Sequence, residues 1–180
     1  MRLFIGIPLA PEAVGALERL SRSLHSNDDG LRWSSPETWH ITLQFLGETS
    51  TDRYSCLVEH LGAIQSPAVP VWLHGTGFFD RAGVFFAGVN VSPALRQLER
   101  LIIVATSQCG VAVEERPYHP HVTLARAKGD GKGGALRKLK GVAKSEVEFP
   151  AFSAREFLLY ESFLNAQGAR HEVRERFPLG

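Results

Sequence analysis

The chain has 180 residues, of which 44% are hydrophobic and 22% charged, and its formal net charge is +1. This length and balance suit one globular domain, residues 1–180, built from two sub-lobes, and they exclude the disordered and fibrous classes. A protein that grips a long stretch of nucleic acid is usually more basic, whereas a small anion or the end of a nucleic-acid strand fits this charge.

Strands and helices are predicted to alternate along the first half of the chain. The apolar residues 2–7, bounded by Pro8, predict a strand, and Pro11 begins an amphipathic helix. The other elements predicted here are a loop at 26–30, a strand at 40–48, a helix at 52–65 and strands at 69–79 and 84–91.

The second half repeats much of this plan. Ser92 and Pro93 start a helix that is predicted to stop near Gly110. The later elements are a strand at 116–126, a flexible connector at 128–134, a short basic helix at 135–142 and closing strands at 146–149, 155–164 and 171–179. Alternating strands and helices with hairpin-length links favour an α+β fold with mainly antiparallel sheets. The repeated order suggests a duplicated lobe.

The chain has two cysteines, Cys56 and Cys109, and neither belongs to a CxxC pair. A zinc ribbon is therefore disfavoured, and two lone thiols fit a reducing compartment better than a disulfide scaffold. The N-terminus lacks the long uncharged region of a signal peptide, and no apolar run is long enough to span a bilayer. We expect a cytoplasmic protein without a membrane partner.

A four-residue motif occurs twice, as HITL at 40–43 and as HVTL at 121–124. Because side chains alternate along a strand, the histidine and threonine of each copy share one face, and the apolar residues share the other. Each copy can thus pack one face into the core and leave an imidazole and a hydroxyl outside it. Chance predicts only roughly 0.05 such motifs in a chain of this composition.

Two imidazoles and two hydroxyls in one cleft would suit displacement at phosphorus. Near neutral pH one histidine can accept a proton while the other donates one. The hydroxyls of Thr42 and Thr123 could donate to phosphoryl oxygens as negative charge develops on them. Arg126 would match a phosphate, but it follows Thr123 by three residues, so a twist, a bulge or the strand end must return it to that face.

The chain resembles the RNA 2′,3′-cyclic phosphodiesterases, also called the 2′-5′ RNA ligase family, of the two-histidine phosphoesterase superfamily. The resemblance is carried by MRLFIGI, WHITLQFLGE, RPYHPHVTLAR and the closing RFPL, so it covers nearly the whole chain. It implies a bilobal α+β fold with a pseudo-twofold axis, two lobes of mainly antiparallel sheet, outer helices and a central cleft. By matching position, His40 is implied as the proton donor and His121 as the proton acceptor.

The resemblance also implies the reaction. The expected activity is hydrolysis of RNA 2′,3′-cyclic phosphodiester ends to 2′-phosphomonoesters, with Thr42, Thr123 and Arg126 binding the phosphate and with no metal or cofactor. The expected partners are RNA ends or nucleotides that carry the cyclic phosphate, and we expect a monomer. Two alternatives stay open: a protein that joins or binds RNA ends through 2′-5′ chemistry, and a phosphodiesterase for small cyclic nucleotides.

Several other residues are weaker candidates for a functional role. His119 and His121 could bind a metal, but no further cluster completes a site, so His119 is expected to be structural or at the cleft rim. His74 and His171 lack motif context and are expected on the surface or in the core. The stretch GDGKGG lacks the spacing of a P-loop, so a flexible turn is predicted there. Five aromatic residues could stack a base, although an aromatic residue more often packs in the core. They are Trp33, Trp39, Tyr118, Phe78 and Phe79.

Overall fold

The computed structural model describes residues 1–26, 29–129, 132–143, 146–165 and 168–180, without the side chains of 132, 133, 164 and 165. The predicted loop at 26–30 and connector at 128–134 therefore lie partly outside the described residues. The elements in chain order are β1 (Arg2–Pro8), α1 (Pro11–Leu24), β2 (Leu31–Trp33), β3 (His40–Glu48), α2 (Thr51–Gly62), β4 (Val69–Val71), β5 (Leu73–Phe79), β6 (Val84–Val89), α3 (Pro93–Ser107), β7 (His121–Ala127), α4 (Lys132–Lys140), β8 (Phe152–Ala154), β9 (Glu156–Asn165) and β10 (Gly168–Pro178).

Two antiparallel sheets of four strands form the two lobes. One sheet has the order β10-β9-β1-β3 and the other the order β2-β7-β6-β5, and a small third sheet pairs β4 with β8. Strands β3 and β7, which carry the two motifs, approach each other between the lobes. The α+β prediction with mainly antiparallel sheets is confirmed.

The helices begin where the sequence places their caps. The hydroxyl of Ser50 accepts a hydrogen bond from the backbone of Arg53 at the start of α2, and Ser92 accepts one from Leu95 at the start of α3. These side chains satisfy backbone N–H groups that have no partner within the helix. The apolar faces of α2 and α3 then bury Leu57, Leu61, Leu95, Leu98 and Ile102 in the main core.

Three predicted strands differ from the structure. The stretch 69–79 is two strands in different sheets, because β4 pairs with β8 and β5 pairs with β6. The stretch 116–126 becomes a strand only at His121, since Pro117 and Pro120 lack the N–H that a strand ladder needs. Residues 146–149 make only an isolated bridge, between His74 and Glu148.

Both motif strands contain a β-bulge at the same place after the threonine. Against β1, Thr42 faces Gly6 and Gln44 faces Ile5, so β3 carries an extra residue. Against β6, Thr123 faces Phe86 and Ala125 faces Phe85, so β7 carries one too. Two consecutive residues after each threonine are therefore buried, and the next side chain returns to the face of the histidine and threonine.

The expectation of two unpaired thiols is wrong. Cys56 in α2 and Cys109 after α3 form a disulfide, with Cα atoms 5.8 Å apart. The pairing could not be predicted because it depends on how α2 packs against α3, and 53 positions separate the two cysteines. The cysteines therefore no longer argue for a reducing compartment. Within the described part of the chain, no helix is both long and apolar enough to cross a membrane.

Candidate active site

A cleft of about 790 Å³ lies between the lobes. Its lining includes all five predicted side chains, namely His40, Thr42, His121, Thr123 and Arg126. The first two come from β3 and the other three from β7, so each lobe supplies one half of the motif pair. The arrangement that strand alternation predicted for each copy is thus brought together by the packing of the two sheets.

The imidazole of His40 is fixed at both nitrogens. Its Nδ1 lies 2.8 Å from the backbone carbonyl of Thr38, and its Nε2 lies 3.1 Å from Oγ1 of Thr42. Because a carbonyl can only accept, Nδ1 carries the proton and donates, and the Thr42 hydroxyl donates to Nε2 of the neutral ring. The ring also packs against Phe4, tilted by 33° at a centroid distance of 4.6 Å. The nitrogen that can exchange a proton is therefore Nε2.

The imidazole of His121 is oriented by the same kind of hydrogen bond as that of His40. Its Nδ1 donates to the carbonyl of His119, two residues earlier, at 2.8 Å. The ring packs edge-on against Phe79, with centroids 4.9 Å apart. The backbone carbonyl thus sets the tautomer in both motifs and leaves Nε2 to act.

The protein lowers the pKa of both histidines. Burial lowers the pKa of His40 to about 4, and the positive charges of His171, His121 and Arg126 act in the same direction. Burial also lowers the pKa of His121 below its ordinary 6.5, with further contributions from His119 and Arg126. Both rings are therefore neutral near pH 7, and a negative phosphoryl group beside His40 would oppose its shift.

The bulge in β7 resolves the position of Arg126. Leu124 and Ala125 are both buried, so Arg126 lines the cleft on the same face as Thr123. Two more arginines line the cleft, Arg2 from β1 and Arg32 from β2. Among the described residues of the lining none is an acid, so the cleft favours an anionic ligand.

The bulge in β3 places an aromatic ring in the corresponding position. Phe45 follows Thr42 by three residues, as Arg126 follows Thr123, and it lines the cleft. Its side chain is 72% exposed. Packing in the hydrophobic core therefore does not explain why a phenyl ring stands at this position. Phe45 is not among the predicted site residues, although it occupies the position in the first motif that matches Arg126 in the second.

A third histidine stands in the cleft. His171 of β10 lines it, and its ring is 5.2 Å from His40 and 4.9 Å from Phe4, edge-on to both. The expectation of a surface or core position for His171 is therefore wrong. No local pattern marks it, because its place depends on β10 pairing through β9 to β1, far away in sequence.

The remaining candidates fall in different places. His119 is exposed and packs beside Phe86 at 5.5 Å, outside the residues that line the cleft. His74 is exposed on β5. Among the five aromatic candidates Trp33 lines the cleft, and its Nε1 donates to Asp29 at 2.7 Å. Tyr118 instead donates to the backbone carbonyl of Thr42, and Trp39 is buried.

Gly6 leaves room for the His40 ring. A Cβ atom at this position would lie 2.9 Å from the carbonyl oxygen of Ile41 and 3.4 Å from Cδ2 of His40. A side chain there would displace either the strand or the imidazole. Glycine is thus required by the close packing of β1 against β3.

This architecture is that of LigT-like phosphoesterases. The chain superposes on the crystal structure of E. coli LigT complexed with 3′-AMP with a TM-score of 0.81 and 27% sequence identity, covering 99% of this chain and 97% of that one. A family model for the 2′-5′ RNA ligase superfamily matches residues 8–161. The chain belongs to the 2′-5′ RNA ligase superfamily, as the sequence analysis predicted.

Curated relatives give the same class of protein. An RNA 2′,3′-cyclic phosphodiesterase of Geobacillus stearothermophilus is 34% identical over 98% of this chain, and the chain spans 56% of that relative's length. Another of the same name, from Aeropyrum pernix, is 33% identical over 86% of this chain and 90% of its own length. The prediction of an enzyme of the phosphodiesterase class is confirmed by these relatives.

Proposed function

We propose that the protein hydrolyses RNA 2′,3′-cyclic phosphodiester ends to 2′-phosphomonoesters, without a metal ion. The observation that carries this proposal is the pair of imidazoles, one from each lobe, that line one cleft with both Nδ1 atoms bound to backbone carbonyls. Each ring then presents Nε2 for proton transfer. The names of the curated relatives support the choice of substrate.

In the proposed reaction Nε2 of His121 takes a proton from water, and the water oxygen attacks phosphorus. The bond from phosphorus to the ribose O3′ breaks on the opposite side, and Nε2 of His40 gives its proton to that oxygen. The product is a 2′-phosphomonoester with a free 3′-hydroxyl. Proton transfer of this kind contributes roughly 10²–10⁴-fold per group to the rate.

The remaining cleft residues would stabilise the charge on the phosphoryl oxygens. The hydroxyls of Thr42 and Thr123 can donate to the two non-bridging oxygens, and Arg126 can offer two parallel N–H donors. This set already supplies a base, an acid and a cation. The reaction as proposed therefore needs no metal.

The direct test uses a short oligonucleotide with a 2′,3′-cyclic phosphate in buffer that contains EDTA. We expect conversion to the 2′-phosphate, resolved from the 3′-phosphate by chromatography. A 3′-phosphate product, or activity that EDTA abolishes, would contradict the proposal. A cleaved RNA pair incubated in the same way would reveal a 2′-5′ junction if end-joining were the main activity.

Phe45 is proposed as a stacking platform for the terminal base. Stacking of a base on an aromatic side chain is worth about 1–3 kcal/mol, so Phe45→Ala should raise KM by roughly 5–150-fold. Because Phe45 is 72% exposed, this variant should fold normally. The measurement is steady-state kinetics on the oligonucleotide, with Phe45→Tyr as the conservative control.

A substrate without a base separates stacking from other effects. Cyclic ribose phosphate that lacks the terminal base should be hydrolysed equally well by wild type and by Phe45→Ala. An equal loss on both substrates would show that Phe45 supports the cleft instead of the base.

The pH dependence should differ between the free enzyme and its complex. The active form needs His40 protonated and His121 neutral, and the pKa values are about 4 and below 6.5 respectively. The ratio kcat/KM should therefore rise as His121 loses its proton, fall as His40 loses its proton, and peak on the acidic side of neutrality. A bound phosphate anion raises the pKa of His40, so kcat should peak at a higher pH.

This prediction is checked by measuring both parameters across the pH range in buffers of constant ionic strength. Coincident maxima for kcat and kcat/KM would contradict it, because they would mean that the substrate does not alter the pKa of His40. We also propose that the protein is a cytoplasmic monomer. Sedimentation velocity and cell fractionation test those two points.

A further inference from the structure

Three potential metal ligands lie together on the side of α2 and α3, outside the cleft. They are Cys56 and His60 of α2 and Cys109, which directly follows α3. The sulfur atoms and a ring nitrogen of His60 all lie within 4.8 Å of one another. None of the three lines the catalytic cleft, so the proposed hydrolysis does not use them.

The three residues are placed so that their side chains could bind one metal ion together. Cys56 and His60 are four positions apart in one helix, so their side chains lie on the same face, one turn apart. Cys109 directly follows α3 and completes the cluster where α3 packs against α2. A disulfide needs only the two cysteines, whereas the position of His60 beside both sulfurs has no role in a disulfide.

The backbone holds Cys109 in place. Its N–H donates to the carbonyl of Thr106 at 3.0 Å, and the next turn closes through Val111, which donates to the same carbonyl at 3.2 Å. Gly110 has φ of 74°, which reverses the chain directly after Cys109. The third ligand is therefore fixed before any ion binds, and little ordering is needed on binding.

We propose that Cys56, His60 and Cys109 form a binding site for a thiophilic divalent cation such as Zn²⁺, and that this site exists only when the two cysteines are reduced. Two thiolates and one imidazole are ligands that suit Zn²⁺, and a water molecule would complete the tetrahedron. Thiolates on one zinc ion lie roughly 3.8 Å apart, as follows from Zn–S bonds of about 2.3 Å. In the disulfide the two sulfur atoms are bonded and lie closer together than this, so they must move apart after reduction before a cation can bind.

Reduction of the disulfide precedes binding of the cation. A dithiol gives two electrons and two protons to the Cys56–Cys109 disulfide and becomes a cyclic disulfide itself. The cation then displaces the two thiol protons and binds two thiolates and the neutral imidazole, which leaves a site of zero net charge. Either the disulfide or the cation therefore joins α2 to α3, but never both at once.

The test titrates Cd²⁺ into the full chain and follows the ultraviolet thiolate-to-cadmium charge-transfer band. Protein reduced with dithiothreitol and freed of it under nitrogen should bind one Cd²⁺, with the band present and with Zn²⁺ competing. Oxidised protein should show no band, and a thiol assay confirms which state is present. A reduced protein without the band, or an oxidised protein that shows it, overturns the proposal.

His60 provides the variant that separates a metal site from a disulfide. His60→Gln should still form the disulfide, yet in the reduced state its affinity for Cd²⁺ should fall at least about tenfold. His74→Gln, an exposed histidine on β5, is the matched control and should bind Cd²⁺ like wild type. Equal affinities of the two variants would mean that His60 is not a ligand and would refute the site. Both variants retain every cysteine, so the result does not depend on cysteine replacements that fail to fold.

Discussion

Alanine at His40 or at His121 is expected to lower kcat on a cyclic-phosphate oligonucleotide by roughly 10²–10⁴-fold. Each change removes one Nε2 to which the proposed reaction assigns a proton transfer, while the carbonyls that held the ring remain in the backbone. KM should change much less, because Thr123 and Arg126, the proposed phosphate ligands, remain in place. Single-turnover kinetics, with the fold checked by circular dichroism, make the measurement.

A sulfur leaving group distinguishes the two roles. When O3′ is replaced by sulfur, the departing thiolate needs no proton, so His40→Ala should regain most of the wild-type rate. His121→Ala should stay slow on the same substrate, because water must still lose its proton. Rescue of His121→Ala instead would reverse the assignment. His74→Ala, which lies outside the cleft, should behave like wild type on both substrates.

Loss of Arg126 is expected to have the second largest effect. Arg126→Ala should lower kcat/KM by roughly 10²–10³-fold, comparable to removal of a donor that stabilises an oxyanion. Arg126→Lys should recover only part of the loss, because an ammonium group cannot make two parallel hydrogen bonds to a phosphate. The measurement is kcat/KM for the oligonucleotide at constant ionic strength.

The matched control for Arg126 is an arginine outside the cleft. Arg100 is exposed on α3 and absent from the cleft lining, so Arg100→Ala should leave kcat/KM unchanged. A similar loss in both variants would show that overall charge, rather than a phosphate contact, governs the rate. Full recovery in Arg126→Lys would likewise contradict the fork geometry.

The motif pair and most elements could be predicted because their signals are local. Strand alternation correctly placed His40 with Thr42 and His121 with Thr123, and Ser92 marked the start of α3. The spacing also showed that a twist, a bulge or the strand end was needed to bring Arg126 to the face of Thr123. Whether a bulge occurs depends on how neighbouring strands pair, so only the structure could show it.

The residues that sequence reasoning missed owe their positions to contacts between distant segments. His171 reaches the cleft through three paired strands, and Cys56 meets Cys109 through the packing of two helices. Neither position has a periodic or spacing signal of its own. Phe45 is a different case, since its relation to Thr42 repeats that of Arg126 to Thr123 and was available in the printed sequence.

The two bulges place different residues on the two sides of the cleft, so the cleft is chemically asymmetric. A twofold-symmetric site with identical residues on both sides would treat the two ester oxygens of a cyclic phosphate alike and release a mixture of isomers. At matching positions, one lobe presents a phenyl ring and the other a guanidinium group. If the base of the substrate stacks on Phe45 and the phosphate binds Arg126, as proposed, the ribose would enter in one orientation only. The unlike pair Phe45 and Arg126 would then set the regiochemistry of ring opening.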